Sequence, residues 1–272
     1  MQFGLSTFFF PNQPLLAVVE RIVGHGIETV ECTYDLPQIE EMDWRFFTAV
    51  RRLQDDGITF SLHGPLFEVN IGSLFREVRA FSRERYRRAI ELAAQHRFDP
   101  VVVHPGYSLL MERAEGIFKR ARNVFDDDLR DLQAYAEGLG VRLALENVHM
   151  PYFFFYDLDE FSTIAGTVPG LGMTLDIGHA YLTKLQKGAG DPEGAILDDL
   201  SGLRERLFHV HLHNNLGTKD DHLLHRGNID LERIVKGLKD LSYGGKVILE
   251  TYETDDGALG RLAETVARFE TT

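Results

Sequence analysis

Two hydrophobic periods alternate from one end of this chain to the other. Short apolar runs stop abruptly at Gly, Pro, Asn or Asp. They predict strands at Gln2–Ser6, Thr29–Cys32, Thr59–His63, Val101–His104, Arg142–Glu146, Gly172–Asp176, Phe208–His213 and Lys246–Glu250. Between them the apolar positions recur at the helical period, most clearly over Leu15–Val23, Trp44–Leu53, Val78–Ala94, Ile117–Glu137, Ile196–Leu207, Leu231–Leu241 and Leu259–Phe269. Several of these close on glycine before the next strand, as in HGIETV, DDGITF, GLGVRL and SYGGKVIL, the sequence form of a helix C-cap followed by a strand.

Strand and helix repeated in this way, without a long polar linker or low-complexity stretch, predict a (β/α)8 barrel over residues 1–272. The rival is a doubly wound open sheet, which usually carries a Gly-rich phosphate loop after its first strand. FGLSTFFFPNQP has no such loop, so the barrel is the better reading.

Composition adds the setting. The chain has 272 residues, 44% hydrophobic and 26% charged, with a formal net charge of −13 that supplies no global positive field for nucleic acid. Cys32 is the only cysteine, which excludes an intramolecular disulfide and a cysteine-based zinc cluster and points to a cytoplasmic protein. The N-terminal apolar stretch lacks a basic leader and reads as a first strand with its loop. No apolar run approaches the roughly 20 residues needed to span a membrane.

Metal-binding residue types collect at the predicted strand ends. His63 lies in SLHGP, His104 in VVVHPG, Glu146 in LALEN, Asp176 and His179 in TLDIGH, and Glu250 in VILET. His209, His211 and His213 alternate along HVHLHNN, and Asp220 and His222 follow in KDDH. Barrel enzymes place their chemistry at this end of the strands, and converging imidazoles and carboxylates are what a divalent ion needs.

The competing explanations differ from residue to residue. Glu146 and Glu250 end apolar strands, so each must be paired or metal-bound, and the in-strand cations Arg142 and Lys246 sit at the opposite ends. Asp176 could serve only as a helix N-cap, but the i, i+3 step to His179 also suits chelation. The two-residue strand period puts His209, His211 and His213 on one face without separating His211 from His213 as the ligand. His209 reads as a buried structural histidine. Asp220 is as easily confused with Asp221, and a solvated acidic loop is the bland account of both. His149 and His213 are candidate substrate contacts, and Lys184, Lys187 and Arg226 are the nearest cations for a phosphate or polyol. Phe8–Phe10 and Phe153–Tyr156 could wall the pocket or form a homo-oligomer contact. SRERYRR reads as an exposed helix face.

These motifs, in order over nearly the whole chain, resemble the xylose isomerase-like barrel superfamily, which includes endonuclease IV and many sugar isomerases and epimerases. The resemblance implies a site for one to three divalent ions, zinc or manganese foremost, with magnesium or cobalt as alternatives. A three-zinc cluster like that of endonuclease IV would be held by His63, His104, Glu146, Asp176, His179, His211, Asp220, His222 and Glu250. A single ion like that of the ketose epimerases would be held by Glu146, Asp176, His211 and Glu250, the two glutamates also exchanging the substrate proton. The resemblance, not the periodicity, selects His211 and Asp220.

Two departures from the endonuclease pattern stand out. Gly178 replaces a cysteine, and HLHNNLGTKDDH is shorter than the endonuclease segment, with Asp221 where that family has arginine. The expected activity is therefore a metal-dependent isomerase or epimerase of a sugar, sugar phosphate or related polyol, working through a metal-stabilised enediolate with Glu146, Glu250 and His179 as catalytic residues. The alternative is a zinc-dependent phosphodiester hydrolase of the abasic-site type.

Overall fold

The computed structural model describes residues 1–110, 114–253 and 257–271. Eight parallel strands close into a barrel in chain order. They are β1 (Gln2–Ser6), β2 (Thr29–Thr33), β3 (Thr59–His63), β4 (Val101–Val103), β5 (Leu143–Glu146), β6 (Gly172–Asp176), β7 (Leu207–Leu212) and β8 (Lys246–Leu249). β8 pairs back onto β1, with Phe3 opposite Val247 and Leu5 opposite Leu249. The strands are apolar because helices cover the outside and side chains fill the inside.

The outer layer runs α1 (Leu15–Gly24), α2 (Trp44–Asp55), α3 (Arg76–His96), α4 (Glu115–Gly138), α5 (Phe161–Thr167), α6 (Ile177–Gln186), α7 (Pro192–Ser201), α8 (Leu231–Asp240) and α9 (Ala258–Thr271). α8 shows the logic plainly. Leu231, Ile234, Val235 and Leu238 form one buried stripe, and Asp230 caps its first turn by accepting from Arg233 N. The basic run on α3 is largely neutralised by its neighbours. Arg79 and Arg83 pair with Asp128 on α4, Arg83 also reaches Asp131, and Arg88 pairs with Glu84 one turn away.

α5 and α6 lie where the apolar period names no helical stretch, and one expected helix differs in its bounds. The apolar period suggested Ile196–Leu207, whereas α7 spans Pro192–Ser201 and Leu207 already belongs to β7. Pro192 begins the helix because its missing N–H costs nothing there, Asp191 caps it, and a short 3-10 turn follows Gly202.

The barrel interior is polar below the site. Glu31 on β2 is fully buried, accepts from Ser61 Oγ at 3.0 Å, and lies 2.7 Å from His209 Nε2. At the floor Lys246 Nζ donates to the carbonyls of Phe60 and Asp99, and burial pulls its pKa down to about 8. Arg142 pairs with Asp99 at the same end, so both in-strand cations are spent far from the strand C-termini. No helix among the described residues is long and apolar enough to cross a membrane.

Candidate metal centre and active site

The strand ends converge as a ring of carboxylates and imidazoles. His63, Glu146 and Asp176 are the last residues of β3, β5 and β6; His104 and Glu250 follow β4 and β8 directly, and His211 is the penultimate residue of β7. His179 stands in the first turn of α6, and Asp220 and His222 come from the loop between β7 and α8.

Glu146 lies at the middle. Its Oε2 is 2.9 Å from His104 Nε2 and 3.5 Å from His63 Nε2, and its Oε1 is 3.1 Å from His211 Nδ1. Glu250 Oε1 approaches the same His211 Nδ1 at 3.6 Å. Asp176 faces His213 Nε2 at 3.0 Å and accepts from His179 N at 2.7 Å. It is therefore a helix cap as well as a member of the ring, so the two readings of DIGH are compatible. Asp220 Oδ2 lies 3.0 Å from both His179 Nε2 and His222 Nε2.

Two of the histidines have one ring nitrogen hydrogen-bonded to a backbone carbonyl, and a third turns one toward a buried carboxylate. His63 Nδ1 donates to Gly64 O and His179 Nδ1 to Asn147 O, each at 2.9 Å. His211 Nε2 faces Glu31 at 3.0 Å. The remaining nitrogen of each points into the ring, the arrangement by which an outer partner sets the tautomer and aim of a metal ligand.

Electrostatics agree with that design. Burial would raise the Glu146 carboxyl, but His104 and His211 outweigh it and hold the group well below the usual carboxylate range. Burial would lower His63, yet its bond to Glu146 and the charges of Glu31 and Glu250 push it up to about 9. His179 and His211 are also raised despite burial, by Asp176 and Asp220 in one case and Glu250 and Glu31 in the other. Several polar atoms at the ring are buried without a hydrogen-bond partner, among them Glu146 Oε2, Asp220 Oδ1 and His222 Nδ1. Buried carboxylates crowded by imidazoles, with orphaned acceptors between them, are a donor set suited to divalent cations.

Ligating atoms group into clusters compatible with more than one ion. His63, His104 and Glu146 form one set; Glu146, Asp176 and His179 another; His63, His211 and Glu250 a third; and His179, His213, Asp220 and His222 a fourth. All nine side chains selected from the sequence are thus brought together.

Above the ring lies a cleft walled by Phe8, Phe9, Leu66, Val148, Met150 and Phe153, with His149 at its side. The aromatic loops expected to wall a pocket supply part of this rim. Phe9 packs on His222 with ring centroids 4.9 Å apart. A hollow at the opposite end of the barrel, bordered by Gln2, Glu28 and Thr59, holds no comparable cluster among the described residues.

Some expected contacts lie elsewhere. His213, read as a substrate contact, is completely buried beside Asp176 and does not border the cleft. Arg226 is exposed on its loop and also lies outside the cleft wall. Lys184 is buried between Asp157 and Asp199 at 2.7 and 2.6 Å, and Lys187 pairs with Asp157, so neither faces the cleft. Asp221 bonds to Leu216 N and pairs with Lys219, leaving Asp220 as the inward member of the pair.

Sequence reasoning missed Glu31. Its signal was present, an acid inside the fully buried strand TVECT. Asn214 and Asn215 were missed too. Asn214 exchanges backbone bonds with Leu223 and side-chain bonds with Ile229, and Asn215 Nδ2 donates to Gly178 O at 3.1 Å. Together they fasten the loop bearing Asp220 and His222 against β7 and α6.

The family model described as xylose isomerase-like TIM barrel matches residues 19–270. Two uncharacterised proteins of Methanocaldococcus jannaschii are each 27% identical to this chain. One aligns over 94% of this chain and 85% of the relative, the other over 94% and 95%. Among solved structures, a D-tagatose 3-epimerase-like protein superposes with a TM-score of 0.84 at 25% identity, covering 100% of this chain and 97% of that one. The 3-keto-D-glucoside 4-epimerase of E. coli superposes at 0.75 and 19% identity, with both chains covered completely.

Proposed function

The chain belongs to the xylose isomerase-like TIM barrel family, and from that premise and its site we propose a divalent-metal-dependent sugar isomerase or epimerase acting by proton transfer at carbon. The observation that carries this reading is the approach of Glu146 and Glu250 to one imidazole atom, His211 Nδ1, from β5 and β8. A proton exchange beside a carbonyl needs one carboxylate to remove the C–H proton and a second group to return it. Two glutamates facing a common point are suited to that pair of roles. The similarity to a D-tagatose 3-epimerase-like protein supports the same substrate class.

Glu146, Asp176, His211 and Glu250 would hold the ion nearest this pair. When bound, a divalent ion there supplies Lewis acidity toward neighbouring carbonyl and hydroxyl oxygens, which acidifies the adjacent C–H. The protein's own groups do the rest. Glu146 or Glu250 takes the proton, and the other returns it. His149 lies along the cleft where it can hydrogen-bond hydroxyls, whereas both ring nitrogens of His179 already face Asn147 O and Asp220. Phe8, Phe9 and Phe153 exclude water and pack against the carbon face of the sugar.

The cleft also favours an unphosphorylated substrate. Its described lining contains no lysine or arginine. A phosphate would need a cation here, and Lys184 and Lys187 are held by carboxylates elsewhere.

The multiple ligand clusters favour one second reading, a zinc-dependent phosphodiester hydrolase of the abasic-site type. Parallel assays separate the two: solvent-deuterium incorporation into a panel of ketoses, and nicking of duplex DNA containing an abasic site. Incorporation without nicking is the expected result. Nicking without incorporation would reverse the assignment.

A further inference from the structure

The cleft above the ring is apolar where a polyhydroxylated ligand needs partners. Apart from the ring's own carboxylates and imidazoles, its wall is Phe8, Phe9, Leu66, Val148, Met150 and Phe153, with His149 as the one polar side chain. No Ser, Thr, Asn, Gln, Tyr, Lys or Arg borders it among the described residues. His149 Nδ1 is buried without a hydrogen-bond partner, so the side chains of this wall can serve a single hydroxyl.

The apolar character continues in two directions. Outward, exposed Phe67 stacks on Phe8 with ring centroids 6.0 Å apart, and exposed Tyr252 meets Phe9 edge-on at 4.8 Å. To the side, a hollow of about 50 Å³ shares Leu66, His104 and Phe153 with the cleft and is bordered further by Val69, Ile71 and Pro105. The polar side chains at its wall are largely engaged. Asn70 Oδ1 accepts from Gly72 N and Tyr107 N, Asn70 Nδ2 donates to Tyr107 O, and the Tyr86 hydroxyl accepts from His104 N. Tyr107 packs its ring on Phe153 with centroids 5.3 Å apart.

A ketose carries a hydroxyl on nearly every carbon. Those beside the carbonyl would face the carboxylates and imidazoles of the ring, but those farther along would meet hydrocarbon. A hydroxyl that gives up water without gaining a partner weakens binding, whereas a methyl in its place strengthens it. Selection of a polar ligand needs polar groups placed along it, and this wall has one.

We infer that the substrate is a hydroxyketone oxygenated only around its reacting carbons, with a hydrocarbon end that lies against Leu66, Met150 and Phe153 and extends toward the hollow beside Leu66. This rests on the proton-transfer reading of the site and narrows its substrate class from sugars at large to deoxygenated ketols.

Two acyclic ketols of equal size supply the test: erythrulose, and 1,3-dihydroxypentan-2-one, in which a methyl replaces the terminal hydroxyl of erythrulose. Neither closes a furanose or pyranose ring, so ring forms do not bias the comparison. Calorimetric titration of the metal-loaded protein with each racemate should show the pentanone binding about tenfold or more tightly. Leu66→Asn and Met150→Gln each put an amide on the wall and should shrink that ratio, while Leu66→Met should preserve it.

Equal affinities, a preference for erythrulose, or no binding of either ligand would overturn the inference. So would a ratio unchanged in both amide variants, because the preference would then not come from this wall. Solvent-deuterium exchange followed in the same samples keeps the two readings apart. Tighter binding of the pentanone without exchange into either ligand refutes the proposed reaction alone. Exchange with erythrulose the better ligand refutes the hydrocarbon end alone.

Discussion

At the scale of single residues, the site is decided by which ring nitrogen each histidine turns inward. Glu31 lies 3.0 Å from His211 Nε2, and Nδ1 faces Glu146 and Glu250. Outer partners of this kind typically account for about 10–100-fold in metal affinity. Glu31→Gln is therefore expected to weaken metal binding by about that factor while leaving the number of ions bound at saturation unchanged, as measured by calorimetric titration. An unaltered affinity would mean that His211 is aimed by packing alone. Glu146→Gln and Glu250→Gln should each lower ketose proton exchange by at least about a hundredfold, the usual weight of a general acid or base. Either variant retaining wild-type exchange would remove that glutamate from the mechanism.

Much of this was readable from residue types at strand ends, because a carboxylate closing an apolar strand has few stable alternatives to pairing or metal binding. Two things were not. The strand period places His211 and His213 on one face, and only the closure of the barrel shows that the first meets the glutamates while the second is buried behind Asp176. Glu31 looked like a strand residue because its partners, His209 and His211, are distant in sequence and meet it only across the barrel interior.

Elements carry the next level of control. Strand ends were legible to within about a residue because Gly, Pro and Asn mark where pairing must stop. The α7 boundary was not, since apolar spacing continues through Leu203 and Leu207 into the next strand. The loop after β7 depends on Asn214, whose side chain accepts from Ile229 N and donates to Ile229 O, both at 2.9 Å. Its backbone also pairs with Leu223, beside His222, which is held at a left-handed φ of 44°. Removing that clasp by Asn214→Ala should loosen Asp220 and His222 without disturbing the strands. The expected outcome is faster amide exchange confined to residues 214–229, with metal affinity reduced about tenfold or more. Exchange rising equally throughout the barrel would show that Asn214 supports the whole fold rather than the loop.

For the whole molecule, an ion at the proposed metal site would compete with protons for the same atoms. His63 is raised to about 9 in the protein against an ordinary value near 6.5. The stabilisation this group gives the metal-stripped protein is fully present below about pH 6.5 and is lost as pH rises through about 9. A bound ion must displace its proton, so binding becomes tighter over the same interval. The difference in Tm between metal-loaded and stripped protein should therefore widen from pH 6.5 to pH 9, measured by scanning calorimetry in buffers of equal ionic strength. A difference that stays constant or narrows would separate His63 from the metal site.

The barrel gives these effects a common frame by bringing strands distant in sequence to one mouth, where two glutamates face one imidazole beneath an aromatic rim. The most direct measurement of that account follows solvent deuterium into ketoses by NMR, with the metal-loaded protein, the chelator-stripped protein, and the Glu146→Gln and Glu250→Gln variants in parallel. The prediction is exchange at the carbon beside the carbonyl that requires the ion and both glutamates. Exchange that persists in stripped protein or in either variant would contradict it, as would its absence from every ketose while abasic DNA is nicked.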